Sequence, residues 1–134
     1  MIKTRNVSKE LYKNYVLKAK EHFQAMNIEF ERGNYNSSAL CAIHCCISGA
    51  DAVTIFFKGV RHAGDRHEDV VQLLESLEIE REVLKHKVRQ LLNVLNAKNS
   101  VEYEEKLTSQ NGALEMIKQT ERFFDWVKDI LPAN

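Results

Sequence analysis

"ALCAIHCCISGADAVTIFF", residues 39 to 57, is the most apolar stretch of the chain and the one whose reading decides the fold. It is nearly long enough to cross a bilayer, but His44 and Asp51 stand well inside it and no anchor pattern flanks it, so it reads as a core helix. A helix from about Asn36 to Lys58, ending at Gly59, places Ala39, Ala42, Ile43, Cys46, Ala50, Val53 and Phe57 on one continuous stripe. Most of these residues are small and let neighbouring helices approach closely, so this helix is expected at the centre of the packing.

Working outward, the N-terminal side carries a run from Ser8 to Arg32, with Ser8 as N-cap and Leu11, Tyr15, Ala19, Phe23, Met26 and Phe30 at near-heptad spacing. "RGNYNSS", residues 32 to 38, supplies a glycine stop followed by capping side chains, so the first two helices are expected to be antiparallel neighbours. On the C-terminal side a third run starts at Asp65, with Asp65 and Glu68 at capping-box spacing. It permits a break near Ser76 to Ile79 and continues with Val83, Leu84, Val88, Leu91, Leu92 and Leu95 on one face. The polar "NSVEYEEKLTSQNG" reads as a connection, and a last run spans about Ala113 to Leu131 before Pro132 ends it.

One proline and five glycines in 134 residues, with no short alternating apolar runs, argue for long helices and against a sheet. The expectation is a single all-α domain over residues 1–134, an up-and-down four-helix bundle. Nineteen basic and nineteen acidic residues balance, which removes the long-range field that an extended nucleic-acid tract or an anionic membrane would need. Three cysteines within one helix cannot build a disulfide framework, and "MIKTRNVSKELYK" has no apolar leader region, so a cytoplasmic location is expected.

Three features compete as functional sites. "GVRHAGDRHED", residues 59 to 69, contains Arg61 and His67 as Arg-x5-His, and Arg81 with His86 repeats the idea at x4. An arginine holding a phosphate beside a proton-moving histidine suits metal-independent RNA cleavage, but chance supplies about one such match, and a solvated helix start capped by Asp65 explains the stretch as well. Cys41 and Cys45 stand one turn apart with His44 adjacent; His44 points about a hundred degrees away from Cys45, so the thiols read as core packing and no metal site is expected. The third feature is a polar line beside the apolar stripe: Ser37, Cys41, His44, Ser48, Asp51, Ile55 and Lys58, at intervals of three and four residues. Short polar side chains, in place of the long Lys and Glu of an ordinary exposed face, fit a groove or an interface in which buried polar groups find partners. His44 and Asp51, two turns apart, could frame one pocket.

"AIHCCISGADAVTIFFKGVRHAGDRHEDVVQLLESL", residues 42 to 77, resembles small stand-alone members of the HEPN superfamily, four-helix bundles named for higher eukaryotes and prokaryotes and a proposed nucleotide-binding role. The similarity lies in the small-residue helix ending "GADA", the apolar run closing on "KG", and a histidine near the start of the next helix. It continues into "LNAKNSVEYE", residues 95 to 104, and covers about residues 8 to 131. Catalytic members carry Arg-x4-6-His near the start of the last major helix and pair two copies across a dimer. In this chain Lys98 stands where that arginine would be, Asn99 follows, and Tyr103 takes the place of the histidine. The resemblance therefore implies a non-catalytic homodimer that binds a nucleotide, an RNA end or a partner protein, with no cofactor. A nucleotidyltransferase-type or toxin–antitoxin partner would be typical. The implied groove is lined by His44, Asp51, His67, Lys98 and Tyr103. Two alternatives stay open: a ribonuclease using Arg61 and His67 across a dimer, and a structural or immunity-like adaptor.

Overall fold

A computed structural model describes residues 2–64 and 66–132; the side chain of His67 and the whole of Asp65, including its expected cap, lie outside that description. The elements in chain order are β1 (Thr4–Asn6), a single 3-10 turn (Lys9–Leu11), α1 (Tyr12–Glu31), α2 (Tyr35–Lys58), β2 (Val60–His62), α3 (His67–Glu75), α4 (Arg81–Leu95), α5 (Lys98–Tyr103) and α6 (Gln110–Ile130). Helices build the core, as the apolar periodicity requires.

α2 is the central helix. Ala39, Ala42, Ile43, Cys46, Ala50 and Val53 of the expected stripe are all buried, whereas Phe57 at its end stays 45% exposed, edge-on to Phe56. α1 packs along α2 on one side, α6 on another, and α4 reaches the core mainly through α6. The α1–α2 turn follows from Gly33, whose φ of 78° lets the chain reverse within three residues, with the Asn34 amide donating to the Glu29 carbonyl at 2.9 Å. Inside the hairpin the buried Ser38 hydroxyl donates to the Met26 carbonyl at 2.9 Å. α2 is long and apolar enough to span a membrane by length and composition, but most of it is buried inside the fold, as in a core helix.

Three local readings differ from the sequence expectation. Ser8 precedes the 3-10 turn and makes no side-chain capping bond; α1 proper begins at Tyr12. The connection after α4 contains a further short helix, α5, and α6 starts earlier than predicted, at Gln110, because the Ser109 hydroxyl caps the Gly112 amide at 3.0 Å. The argument against any sheet fails locally: β1 and β2 pair antiparallel, with Thr4 opposite His62, Arg5 opposite Arg61 and Asn6 opposite Val60. This ribbon exists because α2 stops at Gly59, whose φ of 69° turns the chain back, and the N-terminal segment supplies the missing partners. The Val7 amide donates to the Gly59 carbonyl and the Ala63 amide to the Lys3 carbonyl, each at 2.9 Å. Three-residue strands that pair across more than fifty residues leave no periodic signal to read.

The two glycines of α2 and its cap behave oppositely on substitution. A Cβ on Gly49 meets Val127 at 3.5 Å and Phe123 at 3.8 Å, ordinary contact distances, so Gly49→Ala should raise the unfolding free energy by about 0.5–1 kcal/mol through helix propensity. Gly59→Ala should lower it by about 1–2 kcal/mol, because its backbone is left-handed. Urea unfolding of both variants checks the pair; a destabilised Gly49→Ala would show that α6 lies closer than these contacts allow.

Candidate functional site

The polar line of α2 changes character along its length. Ser37 and Lys58 at its ends are exposed, Cys41, His44 and Ser48 are half-buried, and Asp51 is buried. Asp51 carries the strongest partner: its Oδ1 lies 2.9 Å from Nδ1 of His62, with side-chain exposures of 7% and 14%. The geometry follows from the chain reversal. Asp51 lies eight residues before Gly59, about 12 Å along a helix, and three extended residues beyond the turn cover about 10 Å back. His62 therefore returns to the level of Asp51. A carboxylate at Nδ1 fixes the orientation of the imidazole and favours a proton on that nitrogen, leaving Nε2 as the acceptor in the neutral ring.

His62 is absent from the predicted site residues. The signal was present, however: an aspartate inside an apolar helix must find a donor, and the chain leaving that helix offers Arg61 and His62 within three residues. Reading residues 59 to 69 as a loop hid the strand that aims one of them inward.

Arg61 neighbours this pair and is half-buried. Its Nη1 donates to the carbonyl of His62 at 2.9 Å, while its Nε is buried and has no hydrogen-bond partner. No carboxylate of the described residues lies within ion-pair distance of this guanidinium. Buried donors are nearly always satisfied, so the unpartnered Nε stands out among the buried side chains described.

The remaining predicted residues fall elsewhere or outside the description. His44 stacks at 5.4 Å, tilted by 31°, on His22 of α1. Burial, and then the neighbouring His44, hold the His22 pKa below its ordinary value. Lys98 and Tyr103 share α5; Lys98 is half-buried, and Tyr103 is 75% exposed. Glu102, bonded to the Tyr103 hydroxyl, pushes its pKa above the usual phenol value. His67 opens α3, and its side chain is not described. Among the described residues no hydrogen bond or ring contact joins His44, Lys98 or Tyr103 to the Asp51–His62 pair. Of the cysteines, Cys45 and Cys46 are buried; burial pushes the Cys46 thiol up to about 12, and its Sγ donates to the Thr120 hydroxyl at 3.5 Å. They behave as core side chains.

Two outcomes follow from these contacts. Asp51→Ala leaves the Nδ1 proton of His62 without its acceptor and should cost about 1–3 kcal/mol in urea unfolding, against which an unchanged midpoint would count. His22, with its pKa lowered in the folded state, binds a proton more readily when unfolded, so it removes stability as pH falls through about 6.5. The wild-type Tm should therefore drop more steeply between pH 7 and 5 than that of His22→Gln; parallel Tm–pH curves would refute it.

Against known proteins, the family model for the HEPN domain matches residues 12–130. That span takes in every helix of the fold and β2, but not β1. No curated protein matches the chain.

Proposed function

The chain belongs to the HEPN domain family, and from that premise we propose that it binds the phosphate of a nucleotide or RNA end at Arg61, beside the Asp51–His62 pair, without cleaving it. Family membership supports a nucleotide- or RNA-related role. The observation that carries the location is the buried, unpartnered Nε of Arg61. A guanidinium presents its donors in a planar fork that matches phosphate oxygens, and its one bond, to the His62 carbonyl, leaves the rest of that fork uncommitted. The same reading takes α1, α2, α4 and α6 as the up-and-down bundle, supported by the tight α1–α2 turn and by α6 packing on both α2 and α4.

The absence of cleavage rests on the proton-transfer group. Tyr103, at the position where the superfamily resemblance expects histidine, is held above the usual phenol pKa by Glu102 and cannot exchange a proton readily near neutrality. His62 is oriented by Asp51 and shielded. The same unpartnered Nε of Arg61 would serve a second reading, a metal-independent ribonuclease with Arg61 holding the phosphate and His67 moving the proton.

A thermal-shift titration with AMP, GMP and a short 5′-phosphorylated RNA tests the binding. Wild type should be stabilised by several degrees at saturating ligand, and Arg61→Gln should bind about 10- to 100-fold more weakly. RNA incubated with the protein and chelator should stay intact. Cleavage that survives chelator and disappears in His67→Ala would overturn the binding reading in favour of the nuclease, and no shift with any ligand would favour a structural adaptor.

A further inference from the structure

Resting on the reading above, we infer that the N-terminal strand, which lies outside the family match, completes the anion site: Arg5 of β1 and Arg61 of β2 grip one phosphate between them. The two arginines are direct cross-strand partners in the ribbon. Opposed residues of an antiparallel pair stand on the same face with Cβ atoms about 5 Å apart, and like charges at such positions repel. Among the described residues neither guanidinium has a carboxylate within ion-pair distance, although the chain carries as many acids as bases. Arg5 is exposed and Arg61 half-buried, and an anion bridging the two would offset the repulsion in a ribbon of only three residue pairs. The buried, unpartnered Nε of Arg61 points independently to the same missing acceptor.

The surroundings of Arg5 carry the same chemistry. It lines a cleft of about 440 Å³ between the N-terminal segment and α1, together with Ser8, Asn14, Tyr15 and Lys18, and no carboxylate is among the lining residues. Lys18 lies over the Tyr15 ring, its Nζ 4.9 Å from the centroid. A volume in the usual range for small-molecule sites, with two cations, neutral hydrogen-bonding groups and one aromatic ring, fits the sugar and base that accompany a phosphate. Arg5 links the two parts: the phosphate sits between Arg5 and Arg61, and the nucleoside extends towards Tyr15. The ligand is a terminal nucleotide phosphate, either of a free mononucleotide or of an RNA 5′ end.

Calorimetric titration of the full chain with pyrophosphate, AMP, and a hexaribonucleotide with and without its 5′-phosphate tests this, comparing wild type with Arg5→Gln and Arg61→Gln. The expected result is about a tenfold weaker affinity for every phosphate-bearing probe in Arg5→Gln, with the preference for 5′-phosphorylated over 5′-hydroxyl RNA reduced to match. Tighter binding of AMP than of phosphorylated RNA would identify the free nucleotide as the source of the phosphate, and the reverse order the RNA end. If Arg61→Gln loses affinity and Arg5→Gln binds every probe like wild type, the two-arginine site is wrong while the nucleotide reading stands. If pyrophosphate alone binds, and needs Arg5, the site stands and the nucleotide reading falls. No binding of any probe overturns both. A ligand-free control is independent of folding losses: Arg5→Thr should raise the Tm in phosphate-free buffer by about 1–3 °C by relieving the repulsion, and a fall would contradict the opposed arrangement.

Discussion

The burial of α2 is the constraint on which the rest of the molecule depends. A helix packed by α1, α6 and the return strand must satisfy the polar side chains it buries, and Ser38, Asp51 and Thr54 each have a partner. Ser38 donates to the Met26 carbonyl, Cys46 to Thr120, Thr54 to the Asp51 carbonyl, and Asp51 accepts from His62. The first two bonds tie α2 to the helices beside it. The last one ties it to the three residues after Gly59, which β1 pairs from the other side.

That single bond connects fold to site. Strand alternation puts Arg61 and His62 on opposite faces of the ribbon, so holding His62 against Asp51 turns Arg61 to the face it shares with Arg5. A core aspartate thus sets the aim of a guanidinium it does not touch. The ribbon is short, but His62 anchors it to α2 at one end and the Val7–Gly59 bond closes the other. The chain balances its charge overall, so it has no long-range field that would attract long nucleic acid.

How much of this was legible in the sequence varies with the range of the interaction concerned. The four long helices follow from local periodicity and from Gly33, Gly59 and Pro132, because helical order is decided within a few residues. The 76–79 break between α3 and α4 was readable for the same reason. α5 escaped because a six-residue helix amid Glu and Lys has too few apolar positions to show a period, and the ribbon escaped because its register depends on residues far apart in the chain. Asp51 stood out as a short acid inside an apolar run, and its burial gives that oddity a cause. Its partner did not stand out, since nothing in "VRHAG" by itself says which of two basic residues turns inward. Lys98 and Tyr103 were singled out by a family resemblance, and the structure sets them on a short helix of their own, with no hydrogen bond among the described residues joining either to Asp51.

The central claim is that Asp51 holds the ribbon and thereby positions Arg61. Amide hydrogen exchange in wild type and Asp51→Ala tests it most directly, reading the ribbon amides of Val7 and Ala63 against helical amides of α1 as an internal reference. The account predicts that Val7 and Ala63 lose at least tenfold in protection while the α1 amides keep theirs. Equal protection at the ribbon in both proteins would contradict it, and would mean that β1 and β2 hold together without the histidine–aspartate bond.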